Sequence, residues 1–370
     1  MNSSQKLSYA IAAILSGTPM AVSFAAEADN AADSEALAEI TVTAQRRSES
    51  LENVPITIQA ISGQELSQLN VRNIDDLLKY TPNVTYGGNG PGQGNIFMRG
   101  LSAGGAPNQS QSTTAPFPNV ALYLDDQSMQ FPGRNLDVYL VDMERVEVLE
   151  GPQGTLFGGG AEAGAVRYIT NKPKLNVTEG DAEAAWGITA GGDNNGRGNA
   201  TINLPIIEDV FAVRASVFSD RRGGYIDNVP ATLSFGNSPV ANNGSLVGTN
   251  TNPVTYTGAR LTGLVQFNDE WSLLIQQNYQ NMEADGYFSQ YPRSVNGQAL
   301  APDQITAFAP AYDKDRYEST AWTINGQVGP IKGVYTGSYL DRHIQQQADY
   351  SNYLTSGGGS LYTCAGAGAG

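Results

Sequence analysis

From Asp181 onward the chain alternates. Ala182, Ala184, Trp186 and Ile188 are interleaved with Glu183, Ala185, Gly187 and Thr189. Ala200, Ile202 and Leu204 are interleaved with Asn199, Thr201 and Asn203, and Phe211, Val213, Ala215 and Val217 with Ala212, Arg214 and Ser216. Four more segments obey the same rule, around Leu261–Phe267, Trp271–Tyr279, Trp322–Val328 and Ile331–Tyr339. A period of two with one apolar and one polar face describes a half-buried strand. A soluble sandwich and a transmembrane barrel are both built from such strands, so the connectors decide. They are tight after the second, fourth and sixth segments: Pro205–Asp209, Asn268–Glu270 and Gly329–Pro330. After the third and fifth they are long and rich in Asn, Gly, Pro and Tyr, roughly Arg222–Thr257 and Glu283–Ser319. The first, Gly191–Arg197, is short but falls on the long-loop side. Short turns at one end and long loops at the other are the sidedness of an outer-membrane barrel.

The N-terminus agrees with that destination. Lys6 precedes an apolar run from Leu7 to Phe24, and Ser23 and Ala25 give a small-x-small cleavage pattern. This reads as a secretory signal peptide over residues 1–25, followed by an acidic, alanine-rich tail. The net charge of −15 lacks the basic face that nucleic-acid binding needs. A single cysteine, Cys364, excludes an intramolecular disulfide framework within these residues, and a single histidine, His343, excludes a His-rich metal site. No cofactor or metal site is expected, and no Ser-His-Asp set presents itself for a barrel-embedded hydrolase. Asp125-Asp126 reads as a turn, since Asp is a standard turn residue and adjacent side chains diverge.

Between tail and strands lies a different pattern. Glu39-Ile40-Thr41-Val42-Thr43-Ala44 is a short extended segment of high β-propensity. Ser62-Gly63-Gln64-Glu65 fits a capping box and opens a helix. Asn73 can cap a second helix, with Asp75 and Asp76 favourable in its first turn and Ile74, Leu77 and Leu78 on its apolar face. Val54–Ile58, Ile96–Gly100 and Val120–Asp126 read as strands. Arg145-Val-Glu-Val-Leu-Glu-Gly-Pro-Gln-Gly-Thr-Leu-Phe-Gly, a glycine- and alanine-rich bridge, and Val166-Arg-Tyr-Ile-Thr-Asn-Lys-Pro read as strand, tight turn, loop and strand. The loop lacks the Gly-Lys-Ser/Thr of a nucleotide cradle.

Glu39 to Pro173 resembles, almost continuously, the TonB box and plug domain of TonB-dependent outer-membrane receptors. The resemblance implies an α/β plug domain (51–175) behind a periplasmic tail (26–50), followed by an antiparallel transmembrane β-barrel from 176 onward. Barrels of this family have about twenty-two strands, so the seven segments here imply the N-terminal part of a longer protein. The implied partners are TonB, contacting Glu39, Ile40, Thr41, Val42, Thr43 and Ala44 by β-augmentation, outer-membrane lipid, and a scarce solute, a ferric siderophore or other iron complex. An organic nutrient such as an oligosaccharide, an aromatic compound or a cobalamin is the alternative solute. A passive porin would need neither box nor plug, and an adhesin no box. The short spacing between Ala25 and Glu39 implies transport without an N-terminal signalling domain.

Candidate ligand contacts are Tyr287, Phe288, Tyr291, Tyr312 and Tyr317 in the long third outer loop, and Tyr86, Gln127 and Phe131 at plug apices. Aromatics near strand ends also serve as interfacial girdle residues. One position departs from the family pattern. Relatives commonly carry Arg before the Gly-Pro pair, and it faces acidic wall residues together with the Arg matching Arg99; this chain has Glu150. A basic residue on the barrel wall opposite Glu150, or a solvated Glu150, is expected.

Overall fold

The structure, a computed structural model, describes residues 41–43, 49–101, 117–235, 238–349 and 351. The expected signal peptide, the acidic tail, Glu39, Ile40, Ala44 and Cys364 lie outside the described residues.

The first elements are two short strands, β1 (Thr41–Val42) and β2 (Glu49–Ser50), paired antiparallel. β3 (Thr57–Ser62) then runs into helix α1 (Gly63–Gln68) through the expected capping box. Ser62 Oγ accepts from Glu65 N at 3.2 Å while Glu65 Oε2 accepts from Ser62 N at 2.8 Å, satisfying two donors at the helix start. Glycine at 63 is dictated by packing, because a Cβ there would lie 2.0 Å from the Met143 carbonyl oxygen. Helix α2 (Ile74–Leu77) is capped by Asn73, whose side chain accepts from Asp76 N, and it buries Ile74 and Leu77. A hairpin of β4 (Val84–Gly88) and β5 (Gly94–Met98) follows. Next come β6 (Val120–Leu124), β7 (Gln127–Ser128) and β8 (Met143–Glu150). The loop after Gly151-Pro152 contains one helical turn, α3 (Gly154–Phe157), and leads to β9 (Gly164–Thr170). These strands form a sheet in the order β3-β8-β9-β6-β7, antiparallel except for β6 with β9.

Seven long strands follow: β10 (Glu179–Ile188), β11 (Asn194–Ile207), β12 (Phe211–Arg222), β16 (Val254–Asn268), β17 (Trp271–Asp285), β19 (Tyr312–Val328) and β20 (Ile331–Gln347). Each pairs antiparallel with the next in one meandering sheet. The connectors between β12 and β16 and between β17 and β19 carry β13 (Asp227–Asn228), β14 (Thr232–Phe235), β15 (Ser238–Asn242) and β18 (Gln304–Ile305). β13 pairs with β18, tying the two long loops together.

The sheet is inside out by the standards of a soluble protein. Trp186 is 72 % exposed, Ile331 71 % and Tyr339 66 %, whereas Thr201, Asn203, Ser216, Gln276, Asn278 and Gln280 are buried. Apolar side chains facing out and polar ones facing in are what lipid outside and a polar lumen require. β19 has 17 residues; at about 3.3 Å per residue it spans roughly 55 Å, about twice the apolar band of such barrels. Its outer third therefore needs no apolar face, and Lys314 and Arg316 point outward there.

The plug sheet has two packed faces. One forms a core with α1, α2, β4 and β5 that also takes in Tyr317 and, partly, Leu340 of the wall. The other buries Val42, Val54, Ala121, Tyr123, Leu149, Phe157 and Ala165, and its described residues include none from the seven-stranded sheet. A third cluster seals plug to wall: Tyr139 stacks on Phe218 with centroids 4.5 Å apart, beside Val141, Val254, Tyr256 and Met282.

Candidate functional site

The plug meets the wall through charge as well as apolar packing. Arg134, fully buried on the β7–β8 connector, donates Nη2 to Asp313 Oδ1 at 2.9 Å, with Asp315 Oδ2 at 3.5 Å. Arg342 of β20 clamps Asp315 from the other side. Nearer the short-turn end, Arg214 bonds Asp142 through Nε (2.8 Å) and Nη2 (2.6 Å), and Arg260 Nη2 bonds the Val141 carbonyl at 2.7 Å. Burial pushes the Asp142 carboxyl up, but the Arg214 bonds and the Arg260 charge outweigh it and hold Asp142 below the usual carboxylate range. Arg72 reaches Glu183 at 3.0 Å, and Arg222 reaches Asp76 at 3.2 Å. Tyr256 donates to Asp137 Oδ2 at 2.7 Å. Burial, with Asp137 and Asp76 nearby, pushes Asp75 up to about 7.

The segment 41–43 is docked. Val42 is 0 % exposed in the second core. Thr43 N donates to Glu147 Oε1 at 2.8 Å, and Thr43 Oγ1 accepts from Arg167 Nη1 at 2.8 Å and Arg145 Nη2 at 3.1 Å. Glu147 in turn holds Arg145 Nε at 2.9 Å and Arg167 Nη1 at 2.6 Å. The sequence pattern did not single these charges out: Arg145 and Glu147 alternate with Val146 and Val148 as an exposed polar face would, yet both faces of β8 are buried. A buried charge needs partners, and the partner that sequence alone could not place is Thr43, about a hundred residues upstream.

Arg99 and Glu150 find each other. Arg99 Nε donates to Glu150 Oε2 at 3.0 Å, with side chains 49 % and 6 % exposed. This corrects both expectations for Glu150: it is buried, not solvated, and the basic residue opposite it comes from the plug, at the end of β5. Among the described residues, no wall group is hydrogen-bonded or ion-paired to either side chain.

The ligand candidates divide into two groups. Tyr317 is not in an outer loop. β19 starts at Tyr312, and Tyr317 is buried on its inner face, packed into the plug core. Tyr86 packs half-buried against the same core, and burial pushes its hydroxyl well above the usual range. Gln127 is buried, with Nε2 on the Tyr339 carbonyl at 3.4 Å, and Phe131 lies under the Arg342 guanidinium at 5.5 Å. Those four hold plug to wall or plug to itself. At the outer end, Tyr287 and Phe288 follow β17, Tyr291 is half-buried, and Tyr312 opens β19. Phe288 touches the apex loop, since a Cβ on Gly90 would lie 2.8 Å from its ring. Gln93 of that loop accepts from Gln346 of β20 at 2.9 Å.

An open seven-stranded wall with lipid-type outer side chains, packed against an α/β domain that carries its own leading segment docked on β8 and β9, defines the class: the plug and part of the wall of an outer-membrane barrel. Residues 50–165 match the family model described as TonB-dependent Receptor Plug Domain. The ferric-pyoverdine 358 receptor of Pseudomonas putida is 28% identical over 134 residues, covering 36% of this chain and 15% of the relative. The pesticin receptor of Yersinia pestis is 34% identical over 137 residues, covering 36% and 19%. In fold, the ferric yersiniabactin uptake receptor FyuA from Yersinia pestis matches with a TM-score of 0.58 at 17% identity, over 79% of this chain and 41% of that structure. The chain thus spans less than a fifth of those curated relatives and about two fifths of that structure. It carries a plug domain of the TonB-dependent receptor kind over residues 50–165, and its place is the cell outer membrane.

Proposed function

We propose that this chain is the plug and first wall strands of a receptor for energised uptake of an iron complex, a ferric siderophore being the leading solute. The observation that carries the reading is the seating of the plug. Its core and the wall share Tyr317, and plug–wall ion pairs, among them Arg134–Asp313, Arg214–Asp142, Arg72–Glu183 and Arg222–Asp76, bridge the two. A lumen filled this way does not conduct passively, so transport needs work done on the plug. Residues 39–44 are where that work would enter, by adding a strand to the partner's sheet edge. Among the related receptors, those for pyoverdine and yersiniabactin carry the solute in their names. Tyr287, Phe288, Tyr291 and Tyr312, with the Gly87–Gly94 apex, are the described residues best placed to meet it.

The test is uptake of a radiolabelled ferric siderophore by cells expressing the full-length receptor, with abundance followed in iron-replete and iron-starved cultures. Induction under starvation and uptake abolished by Val42→Pro or by loss of TonB are expected, because proline removes a main-chain donor from the added strand. Unchanged abundance together with no uptake of any iron complex would refute the iron reading and leave an organic nutrient. Full uptake by the proline variant would refute the role of the box.

A further inference from the structure

We propose that the seam between plug residues 67–79 and the outer ends of β10–β12 is an anion-holding subsite, suited to a negatively charged chelate rather than a neutral one. The inference deepens the uptake reading and rests on it for what the anion belongs to, while the cavity and its charge stand apart.

Three observations converge on it. First, the seam is open there. A cavity of about 860 Å³ lies between the plug and these three strands, and Thr189, Gly223 and Tyr225 carry it past the strand ends. That is the size of a small-molecule site. In the outer halves of β16, β17 and β19, Tyr256, Met282 and Tyr317 pack into apolar clusters with the plug instead. Second, the lining is cationic in an acidic chain. Arg72, Lys79, Arg197 and Arg222 line the cavity with Asp76 and Asp220, and Glu183 stands behind Arg72 and Arg197. Four cations thus meet three carboxylates, where the whole chain carries −15. A cleft lined by one sign of charge concentrates the opposite ion. The arginines also have donors to spare. Arg222 commits Nε to Asp220 at 3.3 Å and Nη2 to Asp76 at 3.2 Å, and Arg197 commits Nε and Nη2 to Glu183 and Nη1 to Asn70. Arg72 Nε is buried with no partner among the described residues. A guanidinium carries five N–H groups, and carboxylate oxygens are its strong acceptors. Arg197, Arg222 and Lys79 keep exposed surface through which an anion can reach them. Third, the other proposed solute contacts carry no charge. The apex over 87–94 reads Gly-Gly-Asn-Gly-Pro-Gly-Gln-Gly, and Tyr287, Phe288, Tyr291 and Tyr312 are aromatic. They can stack on a solute or hydrogen-bond it, but they cannot balance its charge. Catecholate and carboxylate chelators leave a ferric complex anionic, whereas hydroxamates leave it neutral. The anionic classes are the ones this cavity suits.

Gly187 supplies a reporter position. It lines the cavity opposite Asn195, on the wall face that carries Arg197, and a Cβ there meets nothing within 4 Å. The test uses the full-length receptor in open outer-membrane fragments from cells lacking TonB, with Cys364→Ser and any other cysteine removed. Gly187→Cys is the reporter, and Asn89→Cys, exposed in the uncharged apex, is the control. Each is labelled with an anionic and with a cationic methanethiosulfonate of similar size. The anionic-to-cationic rate ratio at 187 is expected to exceed that at 89 about tenfold, and citrate, a multivalent anion, to slow labelling at 187 only. Lys79→Gln together with Arg197→Gln should bring the two ratios together. Equal ratios in the parent overturn the proposal, as does citrate protection no greater at 187 than at 89, or a raised ratio that survives both substitutions. If Arg197→Gln unseats the plug, Lys79→Gln alone decides. That lysine is mostly exposed, and its loss should lower the ratio at 187 about threefold; an unchanged ratio overturns the proposal. No solute and no TonB are present, so the two readings fail separately. A raised ratio without uptake of any iron complex refutes the iron reading and leaves the subsite, and uptake with equal ratios does the reverse.

Discussion

Arg134→Met is the sharpest probe of how the plug is held. Arg134 is wholly buried between plug and wall; Nη2 serves Asp313 and Asp315, and its Nε and Nη1 have no partner among the described residues. Methionine fills much of the same volume without charge. Asp315 keeps Arg342, so the loss falls on Asp313, whose Oδ2 is already unpartnered. Removing one member of a buried pair costs about 3–5 kcal/mol, because the other charge stays behind in the dry interface. With a urea m-value of about 2 kcal/mol/M for a domain of this size, that is a drop of roughly 1.5–2.5 M in the midpoint for plug unseating. The assay is urea titration of the full-length receptor, followed by proteolysis of the plug while the barrel stays folded. Adding Asp313→Asn removes the stranded charge and should restore most of the loss, since a neutral buried pair costs little relative to an ionic one. A single variant that loses less than about 1 kcal/mol, or a double variant worse than the single, would refute the view that this pair is a buried ionic tie.

Other consequences follow from particular residues. Asp75 binds its proton more tightly in the seated plug than in an unfolded chain, with its value raised to about 7. Its contribution is complete below the ordinary carboxylate range and is lost as pH rises through 7. The urea midpoint should fall between about pH 4 and 7 and level off above that, and Asp75→Asn should flatten that fall; a flat parent profile over the same range would contradict it. Gly63→Ala places a Cβ 2.0 Å from the Met143 carbonyl oxygen, and the α1–β8 contact should open at a cost of more than about 2 kcal/mol, read as early plug proteolysis. Arg99→Ala should cost less than Arg134→Met, about 2 kcal/mol, since half of the Arg99 side chain is in water although the Glu150 carboxylate it leaves is buried. The exchange Arg99→Glu with Glu150→Arg should recover the loss if the two act on each other alone, and the same urea titration measures both.

Much of the fold was legible because lipid and water impose patterns that do not depend on partners far away in sequence. The alternation from Asp181 onward located all seven wall strands, and Ser62–Glu65 and Asn73 marked two helix starts through local hydrogen bonds. The strands were read too short at their outer ends. β19 begins at Tyr312 rather than after Ser319, because above the membrane neither face has to be apolar. That error carried Tyr317 into a loop when it belongs to the plug–wall core. Glu150 shows a second limit. Its charge was evident, but whether its cation stood on wall or plug depends on how β5 ends beside β8, a tertiary fact with no local signal. The dock of the 41–43 segment was hidden for the same reason: Thr43, Glu147 and Arg167 meet only after the sheet order β3-β8-β9-β6 is set.

The position of the dock within that sheet bears on how force would travel. Val42 and Thr43 rest on β8 and β9, and β8 is bonded on both sides, to β3 and to β9. Tension on the segment first meets two residues of β1–β2 pairing, the four bonds of Thr43 and the burial of Val42. These are few and yield one after another. Beyond them the chain continues through Val54 and β3, which pairs with β8 along its whole length. β3 is an edge strand of the plug sheet, so continued pulling strips it from β8 while β9, β6 and β7 keep their own pairings. Edge removal takes Ile61 out of the core that Val146 and Val148 share with Tyr317, so the loss falls on the core in which plug and wall are joined. On the proposed reading the box is therefore attached to the one edge whose removal loosens the plug from the wall. A disulfide tying Gln59 to Val148, which face each other across β3 and β8, should block uptake while leaving box release intact; uptake undiminished by that crosslink would show that opening does not pass through β3.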